Sequence, residues 1–323
     1  MPVGARHSVH TYTIWRTMSG ECLALNVGRV IYITEEIPMI KAKWTISLIA
    51  AGMFLLAWGE GAAYTLKETF EEIIPAEEMT SVRVDNTNGD IEVSSWDRSE
   101  VKVEALQEIK ASNAEAAEKY AEAAEISVEQ VGKTVEVRTV YPEARDMGGF
   151  WKRLFGVGKP RMSVRYKISV PRRMDLDLRT TNGQVRVSEL EGEVYASSTN
   201  GKIRVAHAAG SVECRTTNGG IELREISGPI EAGTTNGGID VDLLGTIGEG
   251  CRLKTVNGGI TLSVPEDLSA DIDAQTVNGS IRSELPLTVQ GEIGKRSLRG
   301  RLNEGGVQIS LRTVNGSIRI EKR

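Results

Sequence analysis

Apolar and polar residues alternate over residues 174–323 in short runs that recur at a nearly constant distance. Counted from the Asn of each Asn-Gly pair, the sixth and fourth residues before it are apolar, and in most units so are the third and fifth after it. Alternation with a period of two is typical of β-strands, in which every second side chain faces the same side. The pattern predicts short strands separated by turns, with the aliphatic rows facing inward.

The Asn-Gly pairs give the period of this repeat. Their Asn residues are Asn88, Asn182, Asn200, Asn218, Asn236, Asn257, Asn278 and Asn315. The spacing is 18 residues from Asn182 to Asn236, then 21 twice and finally 37, so we expect a degenerate turn of chain near residues 302–307. Repeats of about 20 residues are typical of solenoids. The sequence therefore predicts an all-β fold, a β-helix-like β-solenoid with coils of about 18–21 residues and Asn-Gly turns.

Glycine recurs at every ninth residue from Gly183 to Gly237. Because glycine adopts positive φ without strain, we expect Asn-Gly to supply that conformation at one corner of each coil and the second glycine at the other. The polar residue two positions before each Asn has the inward parity of the apolar rows, and so has the Asn itself. We expect both to stack inside the solenoid, as a hydroxyl ladder and an amide ladder.

Residues 64–173 predict an α+β cap that covers the first coil and carries one helix. The Ala/Glu-rich stretch after Ser112 and Asn113 is typical of a helix, and either residue suits its N-cap. A hairpin is expected around Gly132. A cap is needed because an uncovered strand edge invites aggregation. At the other end, we expect the charges of residues 319–323 to close the stack.

A loop at residues 145–161 is both basic and aromatic. Its relevant residues are Phe150, Trp151, Lys152, Arg153 and Phe155. Such a mixture is typical of contact with an anionic membrane surface or a partner protein. It is also typical of a long hairpin loop whose aromatic side chains fold back on the cap, and the sequence leaves both interpretations open.

An apolar run at residues 46–58 follows Lys41 and Lys43 and precedes small residues. This order predicts a secretory signal peptide at residues 39–63, cleaved after Ala63. The run is short for a membrane span, which needs about 20 apolar residues, and an uncleaved anchor is the alternative. The segment predicts export to the periplasm, the cell surface or the medium.

A signal peptide should begin a chain, yet residues 1–38 precede this one and show no helical or strand period. We therefore expect translation to start at Met39 and residues 1–38 to be a mis-assigned or disordered leader. The alternative is a short cytoplasmic tail on an anchored protein.

Composition and charge exclude several classes of function. The net charge is −5, with both signs interspersed, so no basic stripe indicates nucleic-acid binding. Of three histidines, two lie in residues 1–38, which leaves His207 as an expected surface residue. One histidine does not supply a histidine-dependent nucleophile or a histidine-rich metal site. No cofactor is predicted.

The remaining candidates for chemistry are two cysteines and four stacked carboxylates. Cys214 and Cys251 have inward parity two coils apart, about 9–10 Å along the stack, beyond bridging distance, so we expect buried free thiols. The residues after the Asn-Gly pairs form no acidic row, which argues against a calcium-binding roll and leaves no metal site predicted. The carboxylates are those of Glu213, Glu231, Glu222 and Asp240. Paired carboxylates can process polysaccharides, but no aromatic residues accompany these, and solvated sheet faces have the same composition.

The segments TNGDIEVSSWD, YKISVPRRMDLDLRTTNGQVRV and LRTVNGSIRI resemble a bacterial β-strand repeat family of unknown function, often labelled as candidate adhesins. The resemblance covers about residues 80–323. It implies a β-solenoid and an envelope or surface location, and it carries no catalytic residues and no ligand. The chain departs from the family pattern at the basic-aromatic loop and at residues 1–38.

These observations predict a non-enzymatic exported protein of the envelope or cell surface. Its solenoid would act as an adhesin-like scaffold that binds an unidentified macromolecule. The alternatives are a regulatory module of an envelope-stress system and a carbohydrate-active enzyme on a β-helix.

Overall fold

The structure is a computed structural model, and it describes residues 13–18, 21–26, 64–142, 160–245, 247–248, 250–289, 294 and 296–323. Contacts along the chain divide it into two units. The smaller unit contains the described parts of Met1–Glu71, Leu106–Glu125 and Tyr141–Met162. The larger unit consists of Glu72–Ala105, Ile126–Val140 and Ser163–Arg323.

Short strands make up nearly all of the regular structure. The first strands are β1 (Thr13–Met18), β2 (Glu21–Asn26), β3 (Tyr64–Pro75), β4 (Ser81–Asp85), β5 (Ile91–Trp96), β6 (Glu100–Ala111), β7 (Glu125–Val131), β8 (Thr134–Val140) and β9 (Arg161–Pro171), and the helix α1 spans Ala114–Ala123. Next come β10 (Asp175–Thr180), β11 (Val185–Leu190), β12 (Val194–Ser198), β13 (Ile203–Ala208), β14 (Val212–Asn218), β15 (Ile221–Ile226), β16 (Ile230–Asn236) and β17 (Ile239–Leu243). The last are β18 (Cys251–Asn257), β19 (Ile260–Val264), β20 (Ala270–Asn278), β21 (Ile281–Ser283), β22 (Leu287–Val289), β23 (Ser297–Leu302), β24 (Val307–Asn315) and β25 (Ile318–Lys322).

Strands β1 and β2 pair antiparallel, with Thr17 opposite Cys22. Both strands lie within residues 1–38, for which a mis-assigned or disordered leader stays a prediction.

In the smaller unit, α1 begins after Asn113. The Asn113 side-chain oxygen accepts a hydrogen bond from the Ala116 backbone amide at 2.8 Å, which satisfies one of the free N–H groups of the first turn. Asn113 is thus the cap, not Ser112. Ala116 and Ala117 form the buried side of the helix.

The larger unit is built on two long sheets of mainly parallel strands. One sheet has the order β22-β23-β20-β24-β18-β16-β14-β12-β10-β4-β8-β7, and the other runs β21-β25-β19-β17-β15-β13-β11-β5-β9-β6. Each coil gives one strand to each sheet, as β10 and β11 do. Adjacent coils pair in one register, so that Val194, Val212 and Ile230 lie side by side. The predicted all-β fold with stacked parallel strands is confirmed.

Aliphatic rows from both sheets form the core. On the first sheet the buried rows are Val82, Leu176, Val194, Val212, Ile230, Cys251, Ile309 and Ile272, and Val84, Leu178, Ala196, Cys214, Ala232, Leu253, Leu311 and Ala274. On the second they are Ile91, Val185, Ile203, Ile221, Ile239, Ile260 and Ile318, and Val93, Val187, Val205, Leu223, Val241, Leu262 and Ile320. The inward parity read from the alternation is therefore correct in both sheets.

The polar row beside the core is buried as predicted, but its hydrogen bonds differ. Its members are Asn86, Thr180, Ser198, Thr216, Thr234, Thr255, Thr313 and Thr276. The hydroxyls do not form a ladder among themselves. Each donates to a corner-glycine carbonyl of the neighbouring coil, as Thr216 does to Gly201 at 3.0 Å. The chain leaves the strand at this corner, so the buried carbonyl needs a donor, which the hydroxyl supplies.

The corner glycines are required for a reason other than the one predicted. Among the glycines of the Asn-Gly pairs, only Gly89 has a left-handed φ, of 124°. At the others the constraint is close approach: a Cβ on Gly219 would lie 2.0 Å from the Gly201 carbonyl oxygen. At the opposite corner, Gly210 is equally confined, with its Cβ position 2.2 Å from the Gly192 oxygen.

Positive φ at that opposite corner occurs instead at three stacked residues that are not glycine. Glu189, His207 and Glu225 have φ of 59°, 54° and 54°. The expectation that the second glycine of each coil supplies positive φ is therefore wrong. Glycine is needed where the coils touch, and the backbone reverses three residues earlier.

The last Asn-Gly coil does not lie last in the stack. Strand β24 pairs in parallel with β18 on one side and with β20 on the other, and β25 lies likewise between β19 and β21. Residues 319–323 thus do not close the stack, contrary to expectation. The coil of β20 and β21 lies outside them.

Residues 302–307 do not form a degenerate coil. Leu302 ends β23, which pairs antiparallel with β20, and β22 pairs antiparallel with β23. The long gap between the last two Asn-Gly pairs therefore holds a hairpin that covers the edge of β20. This hairpin performs the end-closing role that the sequence assigned to charge.

The coils also continue on the other side of residue 174. Strand β4 pairs in parallel with β10 and with β8, and β5 pairs in parallel with β11 and with β9. Part of the predicted cap therefore has the same stacked geometry as the repeat. In the described residues, no helix has both the length and the apolar character required to cross a membrane.

Two adjacent glycines allow a test of the close-approach constraint. A Cβ on Gly219 would lie 2.0 Å from a backbone oxygen, whereas a Cβ on Gly220 has 3.4 Å to its nearest neighbour. We expect Gly219→Ala to lower the free energy of unfolding by about 1–3 kcal/mol or more, as overpacking does, and Gly220→Ala to change it by less than ~0.5 kcal/mol. Urea titration measures both. Equal effects would contradict the constraint.

The two cysteines of the repeat allow a second test. Cys214 and Cys251 are buried free thiols, as predicted, with β16 between their strands. Burial raises the pKa of both thiols, that of Cys251 to about 12. Because the thiolate is the reactive form, we expect both to resist a thiol reagent in the folded protein and to react only as fast as the protein unfolds. Fast labelling of either cysteine without denaturant would contradict the assigned register.

Candidate functional site

The Asn side chains of the repeat form one continuous ladder on the surface. In each pair the Nδ2 group donates to the Oδ1 atom of the next Asn along the stack, in the order Asn278, Asn315, Asn257, Asn236, Asn218, Asn200, Asn182 and Asn88. The Asn218–Asn200 distance, 2.8 Å, is representative. These side chains are exposed, apart from the half-buried Asn88, so the expectation that they lie inside is wrong.

The reason for this exposure is local. The alternation of buried and exposed side chains ends at the inward hydroxyl row. The two residues after it are both exposed in most coils, as Thr217 and Asn218 are, so parity no longer places the Asn side chain inward. Backbone hydrogen bonds fix the spacing of the ladder. The backbone N–H of Asn218 donates to the Thr199 carbonyl at 2.8 Å, and the backbone N–H of Asn200 donates to the Thr181 carbonyl at 2.7 Å. An amide has two N–H groups and an oxygen with two lone pairs. Each Asn between the two ends of the ladder uses one N–H and one lone pair in it, so the ladder leaves a second N–H and a second lone pair on that side chain.

A column of Thr and Val lies beside the ladder. In stack order its members are Thr87, Thr181, Thr199, Thr217, Thr235, Val256, Val314 and Val277. These are exposed except for the half-buried Val256, and Val277 is 55% exposed. We call this column, the Asn ladder and the glycines that follow the Asn residues the uncharged corner. None of its residues carries charge, although charged residues make up 26% of the chain.

The outer face of the second sheet is covered by ion pairs. Glu222 contacts the Lys202 ammonium at 2.6 Å and the guanidinium groups of Arg204 at 3.3 Å and Arg224 at 3.2 Å. Hydrogen bonds from Lys202 and then Arg224 lower the pKa of Glu222 to about 2. Arg204 also donates to the Gln184 side-chain oxygen at 2.8 Å. Glu222 is therefore ionised at neutral pH and has no proton to give as a general acid.

The carboxylates on the first sheet are paired in the same way. Arg215 lies 2.8 Å from Glu213 and 3.1 Å from Glu231, and Arg252 lies 3.2 Å from Glu231. Near these residues, Arg179 stacks 5.2 Å above the ring of Tyr195. Tyr195 lines a shallow depression of about 210 Å³ together with Ser81, Arg83, Thr134, Asp175, Asp177, Glu193, Ser211 and Glu213. The arrangement is that of a solvated, ion-paired sheet face.

His207 is exposed, as predicted, and belongs to a cluster that the sequence reasoning missed. Its Nδ1 atom lies 2.9 Å from Glu225, and Arg323 contacts Glu225 at 3.0 Å and Asp242 at 3.1 Å. The signal was the 18-residue period, which places Glu225 at the position in the next coil that corresponds to His207. The approach of Arg323 had no such signal, because it depends on the order of the coils.

The basic-aromatic residues Phe150, Trp151, Lys152, Arg153 and Phe155 lie outside the described residues, and so does the apolar run at residues 46–58. Within the described ranges, no group of His, Cys, Asp and Glu side chains is arranged to hold a metal ion.

Glu222 allows a test of the ion-paired face. A carboxyl whose folded-state pKa is lowered stabilises the protein above its unfolded-state pKa, and this contribution is lost as the pH falls toward the folded-state value. We expect Glu222→Gln to lower the free energy of unfolding at pH 7 by up to ~1 kcal/mol, and the difference from the wild type to vanish near pH 2. Urea titration across that pH range measures it. A difference that stays constant with pH would show that the Glu222 charge contributes nothing.

The sequence profile of the Toastrack DUF4097 family matches residues 174–321. No curated protein sequence matches the chain. Among solved structures, the chain is similar to a candidate cell adhesion protein from Clostridium sporogenes, with 13% identity, a TM-score of 0.33, and coverage of 80% of this chain and 100% of that one. It is also similar to a candidate adhesin from Parabacteroides distasonis, with 9% identity, a TM-score of 0.37, and coverage of 79% and 97%.

A third solved structure, a candidate lipid binding protein from Parabacteroides distasonis, has 13% identity, a TM-score of 0.33, and coverage of 80% of this chain and 96% of that one. At these identities and TM-scores, the likeness to the solved structures has no weight for function. The profile match confirms the resemblance drawn from the Asn-Gly segments. The chain thus contains a Toastrack domain (DUF4097), a domain of unknown function, over residues 174–321.

Proposed function

We propose that this protein is an exported, non-enzymatic scaffold that binds a neutral, hydroxyl-rich macromolecule of the cell envelope or surface along the uncharged corner. The observation that carries the proposal is the absence of charge from this exposed band, which crosses every Asn-Gly coil of the described chain. Export is supported by the signal-like sequence at residues 39–63. Contact of the basic-aromatic loop with a membrane surface or a partner stays a prediction.

The chemistry of the corner favours such a partner. Each Asn between the two ends of the ladder has one N–H donor and one lone pair beyond those that the ladder uses, and the neighbouring Thr side chains add hydroxyls. The groups repeat at about 4.8 Å, the spacing of adjacent strands, along a sheet that hydrogen bonds hold rigid. Hydroxyl groups, which both donate and accept, complement such an array, and a charged partner would find no counter-charge there.

The state of the carboxylates supports binding over catalysis. Glycoside hydrolysis requires one carboxyl that holds a proton and another that does not. Glu222 is ionised by its cationic neighbours, and Glu213 and Glu231 share Arg215. Each of these carboxylates is thus engaged with cationic side chains of neighbouring strands.

Placing charge on the corner tests the proposal. We expect Thr199→Lys with Thr217→Lys to reduce binding of the purified protein to envelope fragments and to a panel of neutral polysaccharides by about tenfold or more, through desolvation of unpaired ammonium groups. The matched control is Ala209→Lys with Ser227→Lys, which adds the same charge at the opposite corner and should bind like the wild type.

Equal binding by both variants would show that the corner is not the binding surface. Turnover of any polysaccharide in the panel that Glu222→Gln or Asp240→Asn abolishes would contradict the non-enzymatic assignment. Folding of each variant is checked by urea titration, since Thr199, Thr217 and Ala209 are exposed but Ser227 is half-buried.

A further inference from the structure

The coil formed by β24 and β25 lies between two coils that both precede it in the chain. On the first sheet Ile309 of β24 lies opposite Cys251 of β18 and also opposite Ile272 of β20. On the second sheet Ile318 lies between Ile260 and Ile281. Strands β24 and β25 therefore occupy a slot that is bounded by β18 and β19 on one side and by β20 and β21 on the other.

The three coils at this slot are nearly equivalent in sequence and contacts. Each contains Thr-Val-Asn-Gly followed by a small residue and Ile. Each Thr hydroxyl donates to the corner carbonyl of its neighbour: Thr255 to Gly237 at 2.9 Å, Thr313 to Gly258 at 2.8 Å and Thr276 to Gly316 at 2.8 Å. The Asn ladder passes through all three without a break. Nothing in these contacts depends on which copy of the chain supplies the middle coil.

A slot without β24 and β25 leaves strand edges unpaired on both of its sides. Unpaired edges are templates for another strand of matching register. The segment that matches is β24–β25, because its rows of apolar, hydroxyl and amide side chains continue those of both neighbours. When a second copy of the chain supplies β24–β25, every backbone and side-chain contact described above is restored.

The connection that would open is the short reversal between β23 and β24. It consists of residues 303–306, and three of these have left-handed φ: Asn303 with 51°, Gly305 with 77° and Gly306 with 131°. The closed reversal is held by the Gly306 amide, which donates to the Asp271 carboxylate at 3.1 Å. Short hinge loops of this kind favour exchange of an element between copies, because the reversal can extend into a connection between the two copies.

From this geometry we propose that β24–β25 is an exchangeable element, and that two copies of this chain associate by each inserting its β24–β25 coil into the slot of the other. The partner is a second copy of this chain. The interface is the coil itself, with the rows of Ile309, Leu311, Ile318 and Ile320 in the core of the partner. This association does not depend on the ligand proposed for the uncharged corner.

Disulfide trapping tests the exchange. Ser263 of β19 lies opposite Glu321 of β25, in adjacent parallel strands. Neighbouring strands lie about 4.8 Å apart, within the Cα range of a disulfide. One full-length variant carries Ser263→Cys and another carries Glu321→Cys, both with Cys22→Ser. The two are unfolded together, refolded at several concentrations and oxidised.

We expect a disulfide-linked dimer that joins the two variants, with a yield that rises with protein concentration during refolding. The matched control replaces Ser263→Cys by Arg173→Cys, at a side chain that is 88% exposed and outside the slot, and should give no linked dimer. A mixture of the Ser263→Cys and Glu321→Cys chains that yields no linked dimer would overturn the proposal. The proposal would also be overturned if a chain that carries both substitutions formed only an intramolecular disulfide between its two introduced cysteines.

The hinge provides an independent arm of the experiment. We expect Gly306→Val, which does not tolerate a φ of 131°, to raise the dimer fraction about tenfold at equal concentration by opening the reversal. The control is Gly233→Val, where φ is not left-handed and the nearest atom to an added Cβ is 3.9 Å away. It should leave the dimer fraction unchanged. If Gly306→Val also leaves it unchanged, exchange through this hinge is wrong.

Discussion

The structure depends on the close approach of successive coils at the Asn-Gly corner. There the backbone of one coil comes so near the next that a Cβ on Gly219 would lie 2.0 Å from a carbonyl oxygen. This approach sets the strand pairing of both sheets, because each coil is held at the spacing of a hydrogen-bonded parallel strand. The buried Thr hydroxyls satisfy the carbonyls that the corner would otherwise leave without donors, and the Asn amides join the coils outside.

The same constraint makes the surface of the corner uniform. A charged side chain in the Asn column would interrupt the amide ladder, and a side chain on the glycine column would separate the coils. The Thr and Val column has no such restriction, yet it too is uncharged. On the two sheet faces, by contrast, Arg, Lys, Asp and Glu side chains pair across neighbouring strands. This contrast is the basis for proposing the corner, and not the faces, as the binding surface.

Uniform coils also make their order ambiguous. Ile272 and Cys251 both lie opposite Ile309, one on each side of it. Local contacts therefore do not distinguish the coil that follows in sequence from the one that comes later. In this protein the later coil occupies the inner place, and a hairpin covers the outer one. Exchange between copies is a direct consequence, since a slot that accepts a late segment of its own chain accepts the same segment from another chain.

The sequence by itself determined the strands, the inward rows and the period, because these follow from local alternation and from residues that recur at fixed spacing. It also placed the corner at Asn-Gly and the two thiols in separate coils. Only the tertiary structure decided that the Asn side chains are exposed, that the glycines serve close contact more than positive φ, and that β24 lies between β18 and β20. These features depend on which backbone segments meet across the stack, and a pattern of nearly identical coils carries no information about that choice.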